Sequence, residues 1–266
     1  MSLLRTGAKA LDHSPCRYGG SRLAFRGPER DLDGDYIVVL GGSESCGRGG
    51  AEPFAERIGR ESGLGVANLS CANAGPDVWL ADRRLESVIR GAHLGIVQLV
   101  GAVNLSNDFY RVHPRRNDRF LAARPRLRAL YPEVDFSEVN FTGHLMKVLG
   151  RRGPERFAPV LAELKSVWLA RMSRVLEMLP RRRLLLWAGI APPPLDSSPG
   201  DPSADPALVD RAMVEALAGR AGAQVEYLTD PGAGRPVDPE SAGGSLEEGF
   251  HRMAAARLLP VIGRMV

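Results

Sequence analysis

Lysine is nearly absent from this chain of 266 residues, and no strong excess of either charge sign stands in its place. Of the 35 basic residues only Lys9, Lys147 and Lys165 are lysine, and the 31 acidic residues leave a formal net charge of +4. A nucleic-acid binder normally gathers its basic residues on one face to neutralise phosphates. We therefore expect no nucleic-acid partner, although the arginine surplus mildly favours anionic small molecules.

Cysteine is also scarce, and so are long apolar runs. The three cysteines are too few and too scattered for a disulfide framework or a zinc site, and they suit a reducing compartment: Cys16, Cys46 and Cys71. No stretch approaches about 18 apolar residues, and residues 1–30 lack the apolar core of a secretory signal. We therefore predict a cytoplasmic protein with no membrane span, no metal and no cofactor.

The most informative segment is the short apolar run Tyr36–Leu40, which is followed at once by Gly41, Gly42 and Ser43. A continuous run of Val, Ile and Leu is typical of a strand that is buried on both faces of a parallel sheet. Adjacent glycines allow a sharp turn and a close approach of the backbone to a ligand. Because open α/β sheets bind ligands at the carboxyl ends of their strands, Ser43 is the first candidate nucleophile.

Strand and helix patterns alternate after residue 34, which is typical of a parallel α/β sheet. We predict strands at residues 36–40, 65–69, 94–100, 184–187 and 224–228. We predict helices at residues 52–61, 78–90 (with Asp77 as N-cap), 154–179, 207–218 and 246–264. The predicted fold is a three-layer α/β/α domain, residues 34–266, with a five-stranded parallel sheet of flavodoxin-like order. Residues 1–33 are predicted to form an N-terminal arm.

Residues 105–150 interrupt this alternation, because about 45 residues follow the third strand where a handful is usual. Long insertions at the ligand end of a sheet often act as lids. This insertion carries His113, Arg115 and Arg116, and planar guanidinium groups match carboxylates and phosphates. Unless the segment is only a solvated loop, we expect these three residues to bind an anionic group of the substrate.

Four blocks of glycine and polar residues follow the predicted strands, and together they carry a family resemblance. They are Gly41-Gly42-Ser43, Asn73-Ala74-Gly75, Gly101-Ala102-Val103-Asn104 and, at the start of the last helix, Glu247-Glu248-Gly249-Phe250-His251. Their order and spacing resemble the SGNH, or GDSL-like, hydrolase superfamily over residues 34–262. Residues 113–119 also resemble a family of uncharacterised alphaproteobacterial proteins, a likeness that implies no activity.

The SGNH resemblance implies a serine esterase or acyltransferase without a cofactor. It implies that Ser43 is the nucleophile and that His251 is the base that takes its proton. It assigns the oxyanion donors to the backbone N–H groups of Ser43 and Gly75 and to the side-chain amide of Asn104. Asn73 is a candidate substrate-binding residue, and the expected substrate is a small-molecule or saccharide ester, neutral or anionic.

The chain departs from the family pattern in three of the blocks. Gly42 stands where the family usually has Asp, and one extra residue precedes Asn104. In the last block the acid is Glu248, which becomes the candidate partner that orients the histidine. Asp238 and Glu240 are alternative acids, because Glu248 can equally be a simple helix-start residue.

Two other kinds of function stay open on the sequence. Residues 42–49 keep the Gly-x4-Gly frame of a phosphate loop, but Arg48 replaces its lysine and Gly49 replaces its magnesium-binding hydroxyl. A nucleotide-dependent transferase is therefore the weaker alternative. The other alternative is a non-catalytic module that binds a carbohydrate or an anion on the same fold, because a fold does not fix a function.

Overall fold

A computed structural model of the protein describes residues 15–47, 52–189, 191–197, 206–221, 224–229 and 243–266. The strands in these residues are β1 (Tyr36–Leu40), β2 (Gly65–Asn68), β3 (Leu94–Gln98), β4 (Tyr110–His113), β5 (Arg116–Ala123), β6 (Arg183–Gly189) and β7 (Gln224–Thr229). Five of them form the central sheet in the order β2-β1-β3-β6-β7, and every neighbouring pair in it is parallel.

Strand β1 lies between β2 and β3, and all of its residues are buried. Its Val38 aligns with Ala67 of β2 and with Gly95 of β3. A strand that is covered on both faces must be apolar along its whole length, which is the pattern that this segment has. Counted along the chain, the strands of the sheet follow the order 2-1-3-4-5, so the predicted flavodoxin-like sheet is confirmed.

Helices cover both faces of the sheet. Their bounds are α1 (Ser43–Cys46), α2 (Phe54–Ser62), α3 (Asp77–Leu80), α4 (Glu86–Arg90), α5 (Pro125–Leu130), α6 (Thr142–Gly150), α7 (Pro154–Met178), α8 (Arg211–Ala221) and α9 (Gly243–Ile262). Helices α2 and α9 pack on one face of the sheet. Helices α3, α4, α7 and α8 pack on the other, where Trp168 is fully buried. None of the helices in the described residues is long and apolar enough to cross a membrane.

The single helix predicted for residues 78–90 is wrong, because this segment breaks into α3, a short 3-10 turn at Arg83–Leu85, and α4. The Asp82 side chain accepts the backbone N–H of Arg84 at 3.2 Å, which diverts that group from a continuous helix. Asp77 is the first residue of α3 rather than its N-cap, a position held by Pro76.

The segment after β3 folds into structure of its own. Strands β4 and β5 pair as an antiparallel hairpin, and α5 and α6 follow it. The hydroxyl of Tyr110 donates to the backbone oxygen of Val103 at 2.7 Å. The Phe120 ring lies 6.3 Å from the ring of Tyr110 and 6.4 Å from that of Phe136, measured between centroids. These contacts hold the hairpin against the residues that follow β3, at the ligand end of the sheet.

Residues 206–210 lie across the end of β3, and an ion pair between the half-buried Lys165 and the buried Asp210 holds them there. The N–H of Ala102 donates to the oxygen of Ala207 at 2.8 Å, and Nζ of Lys165 lies 2.7 Å from the Asp210 carboxylate. Burial by itself raises the pKa of Asp210, but the Lys165 ammonium and the N–H of Met213 outweigh it and keep the pKa below its usual value.

We expect the change Lys165→Met to lower the free energy of unfolding by about 2–3 kcal/mol, because it leaves the buried Asp210 carboxylate without its cation. Urea unfolding measures this loss. The matched control is Arg90→Met, which removes an exposed i,i+4 pair with Glu86 and is expected to change stability very little. Equal losses in the two variants would contradict the assigned role of the Lys165 pair.

Candidate active site

The turn after β1 places Ser43 at the carboxyl end of the sheet. Ser43 opens α1, a single helical turn, and Gly42 before it is extended, with φ −89° and ψ −151°. A Cβ on Gly41 would lie 2.5 Å from Cβ of Ser45 and 2.8 Å from Oε1 of Gln98. Glycine is therefore required at position 41 by the close approach of α1 to β3.

A pocket of about 80 Å³ opens beside Ser43. Its walls come from the segments that follow β1 and β2 and from the end of β3 and the segment that follows it, with Glu44, Asn73 and Asn104, and from Ala207, which precedes α8. Ser43, Asn73 and Asn104 come from three different blocks of the sequence. The parallel sheet brings them to one pocket because the carboxyl ends of its strands share one edge.

Asn73 contacts Ser43 through both its backbone and its side chain. The N–H of Asn73 donates to Oγ of Ser43 at 3.0 Å, and the Ser43 hydroxyl donates to Oδ1 of Asn73 at 3.2 Å. Asn73 has a φ of 54°, a left-handed conformation that asparagine tolerates better than most residues. These two contacts orient the Ser43 hydroxyl, so Asn73 serves the serine as well as lining the pocket.

Asn104 lies next to this pair, and both ends of its amide are fixed. Its Nδ2 donates to the backbone oxygen of Asn73 at 3.1 Å, and its Oδ1 accepts the hydroxyl of Thr142 at 2.6 Å. The backbone oxygen of Asn73 can only accept, so it decides which end of the amide is nitrogen, and the hydroxyl of Thr142, at the start of α6, then donates to the oxygen. The insertion, through Thr142, therefore helps to hold the Asn104 amide in this orientation.

The backbone N–H of Gly75, which is predicted to be an oxyanion donor, already has a hydrogen-bond partner in the structure. This N–H donates to Oδ1 of the buried Asn117 at 3.0 Å, so this donor is directed to the insertion instead of to Ser43. A Cβ on Gly75 would lie 1.6 Å from the backbone oxygen of Asn104. The physical requirement for glycine here is the contact between two backbones, and a role as oxyanion donor requires the bond to Asn117 to open.

The hairpin reaches the pocket with residues that sequence analysis did not single out. Oδ2 of Asp118 accepts Nδ2 of Asn73 at 3.2 Å, and Asn117 binds Gly75 from the next position. In an extended strand neighbouring side chains point to opposite sides, so Asn117 and Asp118 meet different partners. The pairing of β4 with β5 decides which partner each of them meets. The feature of the sequence that could have indicated this role is the adjacent polar residues Asn117 and Asp118 in an otherwise arginine-rich stretch.

The residues predicted to bind an anion lie at the tip of the hairpin. Nδ1 of His113 accepts the backbone N–H of Arg115 at 3.2 Å and that of Arg116 at 3.1 Å, which closes the turn between β4 and β5. Both arginines are exposed, and neither lines the Ser43 pocket. In the structure His113 therefore shapes the turn, and the anion-binding role stays a prediction.

His251 lies well inside α9 and is fully buried, and it is not among the residues that line the Ser43 pocket. Its Nδ1 accepts the backbone N–H of Phe54 at 3.3 Å. Its Nε2 lies 3.5 Å from the position that a Cβ on Gly47 would take. Gly47 is the C-cap of α1, so the imidazole lies next to the C-terminal end of that helix. The structure thus brings His251 near the serine turn, but on the side of α2.

The bond to Phe54 also fixes the tautomer of His251. A neutral imidazole has one donor and one acceptor nitrogen, so an accepting Nδ1 places the proton on Nε2. A base that takes a serine proton through Nε2 needs the opposite tautomer, with Nδ1 donating to an acid. In this conformation His251 is therefore not set up as the base.

Glu248, the candidate acid, forms an ion pair with Arg57 of α2 instead of bonding to His251. The alternative acids Asp238 and Glu240 lie outside the described residues, as do Arg48 and Gly49 of the phosphate-loop alternative. In the part of the chain that the structure describes, no group of three or more His, Cys, Asp or Glu side chains could hold a metal ion.

Burial of His251 predicts a pH-dependent stability. Burial, followed by the positive charge of Arg26, lowers the pKa of His251 from 6.5 to about 4. Between these values the unfolded chain binds the proton and the folded chain does not, so stability falls as the pH falls from about 7 to about 4. We expect this group to account for roughly 2–3 kcal/mol of the loss.

The measurement is urea unfolding at several pH values between 7.5 and 4.5, for the wild-type protein and for His251→Asn. The asparagine Oδ1 takes the place of Nδ1 and can still accept the N–H of Phe54, but the side chain does not titrate. The stability of the variant should therefore depend less steeply on pH. Parallel curves for the two proteins would show that His251 does not carry this dependence.

Comparison with solved structures finds esterases at low identity. An acetyl xylan esterase from the rumen bacterium Butyrivibrio proteoclasticus is 10% identical, with 91% of this chain and 67% of the other covered at a TM-score of 0.47. A carbohydrate esterase is 10% identical, with 86% and 68% covered at 0.40. A candidate arylesterase from Agrobacterium tumefaciens is 16% identical, with 86% and 99% covered at 0.36. At these scores the activities of these proteins say nothing of the chemistry of this chain.

Sequence comparison gives a family without an assigned activity. No curated protein matches the chain. One family model matches the whole of residues 1–266, and its description is a domain of unknown function. The protein, with its parallel sheet and its serine pocket, therefore belongs to the DUF6473 family.

Proposed function

We propose that the protein is a serine-dependent esterase or acyltransferase, of the kind that the SGNH resemblance implies, whose reaction takes place in the Ser43 pocket. The observation that carries this proposal is the setting of the Ser43 hydroxyl. It stands at the carboxyl end of β1, bonded to the N–H and Oδ1 of Asn73, with the Asn104 amide in the same pocket. A serine used only to cap a helix would bond to the N–H groups of its own helix.

In this reaction Oγ of Ser43 attacks the ester carbonyl, the carbon–oxygen bond to the alcohol breaks, and water or a second alcohol later releases the acyl group. The amide nitrogen of Asn104 has a second hydrogen besides the one donated to Asn73, and that hydrogen is the donor we assign to the oxyanion. The N–H of Asn73, which already points at Oγ, lies close enough to help.

The proton of Ser43 needs a base, and His251 is the one we propose. Its present bond with the N–H of Phe54 must break, so that Nδ1 carries the proton and Nε2 accepts that of Ser43. The α1 turn separates the imidazole from the pocket in the described conformation. Assembly of the pair therefore requires a rearrangement around His251, inside α9 and next to Gly47.

The charges near Ser43 favour a neutral acyl group over an anionic one. Glu44 lines the pocket, and the Asp118 carboxylate bonds to the side chain of Asn73. An anionic acyl group would approach two carboxylates, at an energetic cost, in a partly desolvated site. The arginines that could offset them, Arg115 and Arg116, lie at the tip of the hairpin. We therefore propose a small neutral acyl ester, with a saccharide as one possible alcohol.

A non-catalytic binding module is the second candidate, and the bonds of His251 and Glu248 favour it. Each has a partner on α2: the N–H of Phe54 binds the histidine, and Arg57 binds the glutamate. If these contacts are permanent, the pocket lacks this base and binds an ester or a sugar without turnover.

A fluorophosphonate probe separates the two candidates, because it reacts with a serine that a base activates. We expect the probe to label the peptide that carries Ser43, as located by mass spectrometry, and His251→Gln to abolish labelling. The buried Ser45, two residues along the same turn, serves as an internal control and should stay unmodified. A folded protein that takes up no probe would leave the binding module as the better explanation.

A further inference from the structure

The side chain of Gln98, at the end of β3, holds the turn that carries Ser43. Its Oε1 accepts the N–H of Gly42 at 2.9 Å, the N–H of Ser45 at 3.2 Å and the hydroxyl of Ser45 at 2.6 Å. Gly42 and Ser45 stand on either side of Ser43 in the sequence. One buried carboxamide oxygen thus binds the turn both before and after the serine.

Glu44 decides which way the amide of Gln98 points. Nε2 of Gln98 donates to Oε2 of Glu44 at 2.7 Å. A carboxylate only accepts hydrogen bonds, so the nitrogen must face Glu44 and the oxygen must face the three donors of the turn. The orientation of Gln98 is therefore fixed by its neighbours.

A second carboxamide holds the other end of the same turn. Nδ2 of Asn68, at the end of β2, donates to the backbone oxygen of Ser45 at 3.0 Å, and Asn68 is buried. The two strands that flank β1 each contribute one amide. Because Gly41 also leaves no room between α1 and β3, the turn has little freedom to move.

We infer that Gln98 is a positioning residue for Ser43. Its side chain borders the Ser43 pocket, but its hydrogen bonds go to the turn and to Glu44, and it acts on Ser43 through them. The effect of Gln98 on the reactivity of Ser43 rests on the proposed function. Its effect on the conformation of the turn is independent of that function. Three bonds to one oxygen keep Gly42 extended and α1 wound, and so keep Oγ of Ser43 at Asn73. Small errors in the place of a nucleophile cost much of its reactivity.

The test compares Gln98→Leu, Gln98→Glu and the double change Gln98→Glu with Glu44→Gln. Leucine removes all the bonds of the amide. The single change to glutamate sets two carboxylates against each other, and the double change restores a donor–acceptor contact with the two groups exchanged. Asn107→Leu is the matched control, since Asn107 is a buried carboxamide that bonds only within the insertion.

Amide hydrogen exchange of Gly42 and Ser45, followed by NMR, reads the turn whether or not the protein is an enzyme. We expect exchange about 100-fold faster in Gln98→Leu and no change in Asn107→Leu. Glutamate keeps an oxygen that can accept the three donors of the turn, so exchange should stay within about 10-fold of the wild type in Gln98→Glu and return to it in the double variant. The amide of Val39, inside β1, should keep its protection in all of them. Fluorophosphonate labelling of Ser43 should fall by about 10-fold or more in Gln98→Leu and stay close to the wild type in the double variant.

Wild-type exchange of Gly42 and Ser45 in folded Gln98→Leu would overturn the inference. If that variant does not fold, Gln98→Asn is measured in its place, because its side chain is one methylene shorter and draws the acceptor oxygen away from the turn; wild-type exchange in that variant overturns the inference instead. If the turn loosens but labelling of Ser43 keeps its rate, Gln98 is structural and does not position the serine. A wild-type protein that takes no probe would sink the proposed function alone, because the exchange measurement still decides the role of Gln98.

Discussion

We expect Ser43→Ala to lower ester turnover by a factor on the order of 10³ or more while the protein keeps its fold. The change deletes the oxygen that we propose as the nucleophile, and no other hydroxyl is placed to replace it among the described residues that line the pocket. The two hydrogen bonds between the Ser43 hydroxyl and Asn73 are exposed to solvent, because Ser43 is only half-buried and Asn73 is exposed. Their loss should therefore cost little stability.

The measurement is hydrolysis of short-chain acyl esters by the wild-type protein and by Ser43→Ala, with circular dichroism and thermal unfolding as checks of the fold. Ser173→Ala is a matched control, because the Ser173 hydroxyl donates to the backbone oxygen of Leu169 within α7 and Ser173 does not line the pocket, so its loss should leave turnover largely intact. If Ser43→Ala turns over ester as fast as the wild type, Ser43 is not the nucleophile.

Gly75→Ala should be the most destabilising single methyl group that can be added near the site. The new Cβ would lie 1.6 Å from the backbone oxygen of Asn104, and backbone cannot step aside as the end of a side chain can. The segments after β2 and β3 would have to move apart. We expect a loss of about 4 kcal/mol or more in the free energy of unfolding, or no folded protein at all.

The control for this change is Gly219→Ala, in the exposed part of α8. A Cβ there meets nothing within 4 Å, and alanine favours the helix, so stability should stay equal or rise by roughly 0.5–1 kcal/mol. Comparison of the two variants by urea unfolding isolates the effect of the backbone contact from that of a general change of glycine to alanine. A mild effect of Gly75→Ala would mean that the strand ends can separate freely.

The sheet could be predicted closely because its signals are local. The run Tyr36–Leu40 is bounded by glycines, and the structure gives β1 these same limits. The helix predicted for residues 78–90 failed because one side chain, that of Asp82, competes for a backbone N–H. Such a competition depends on the local conformation that the chain has already adopted, and no periodicity reveals it.

The site could be predicted only where a residue follows a strand. Ser43, Asn73 and Asn104 each lie in the turn or loop that follows a strand, and the sheet brings them together. The residues that fix them come from elsewhere: Gln98 acts from inside the end of β3, Thr142 from the start of α6, and Asp118 from the hairpin. A buried glutamine at the end of a strand carries no sequence signal, because its role lies in the partners that it meets.

The parallel sheet, the sharp turn that presents Ser43 and the glycines beside it could be predicted without the structure, since each follows from apolar patterning and backbone sterics along a short segment. The partners of the polar groups could not, because they depend on how distant segments pack. The tertiary structure turned His251 towards Phe54, paired Glu248 with Arg57 and directed the N–H of Gly75 to Asn117. A hydrogen bond forms with whichever group lies within about 3 Å, and between distant segments that distance is set by packing alone.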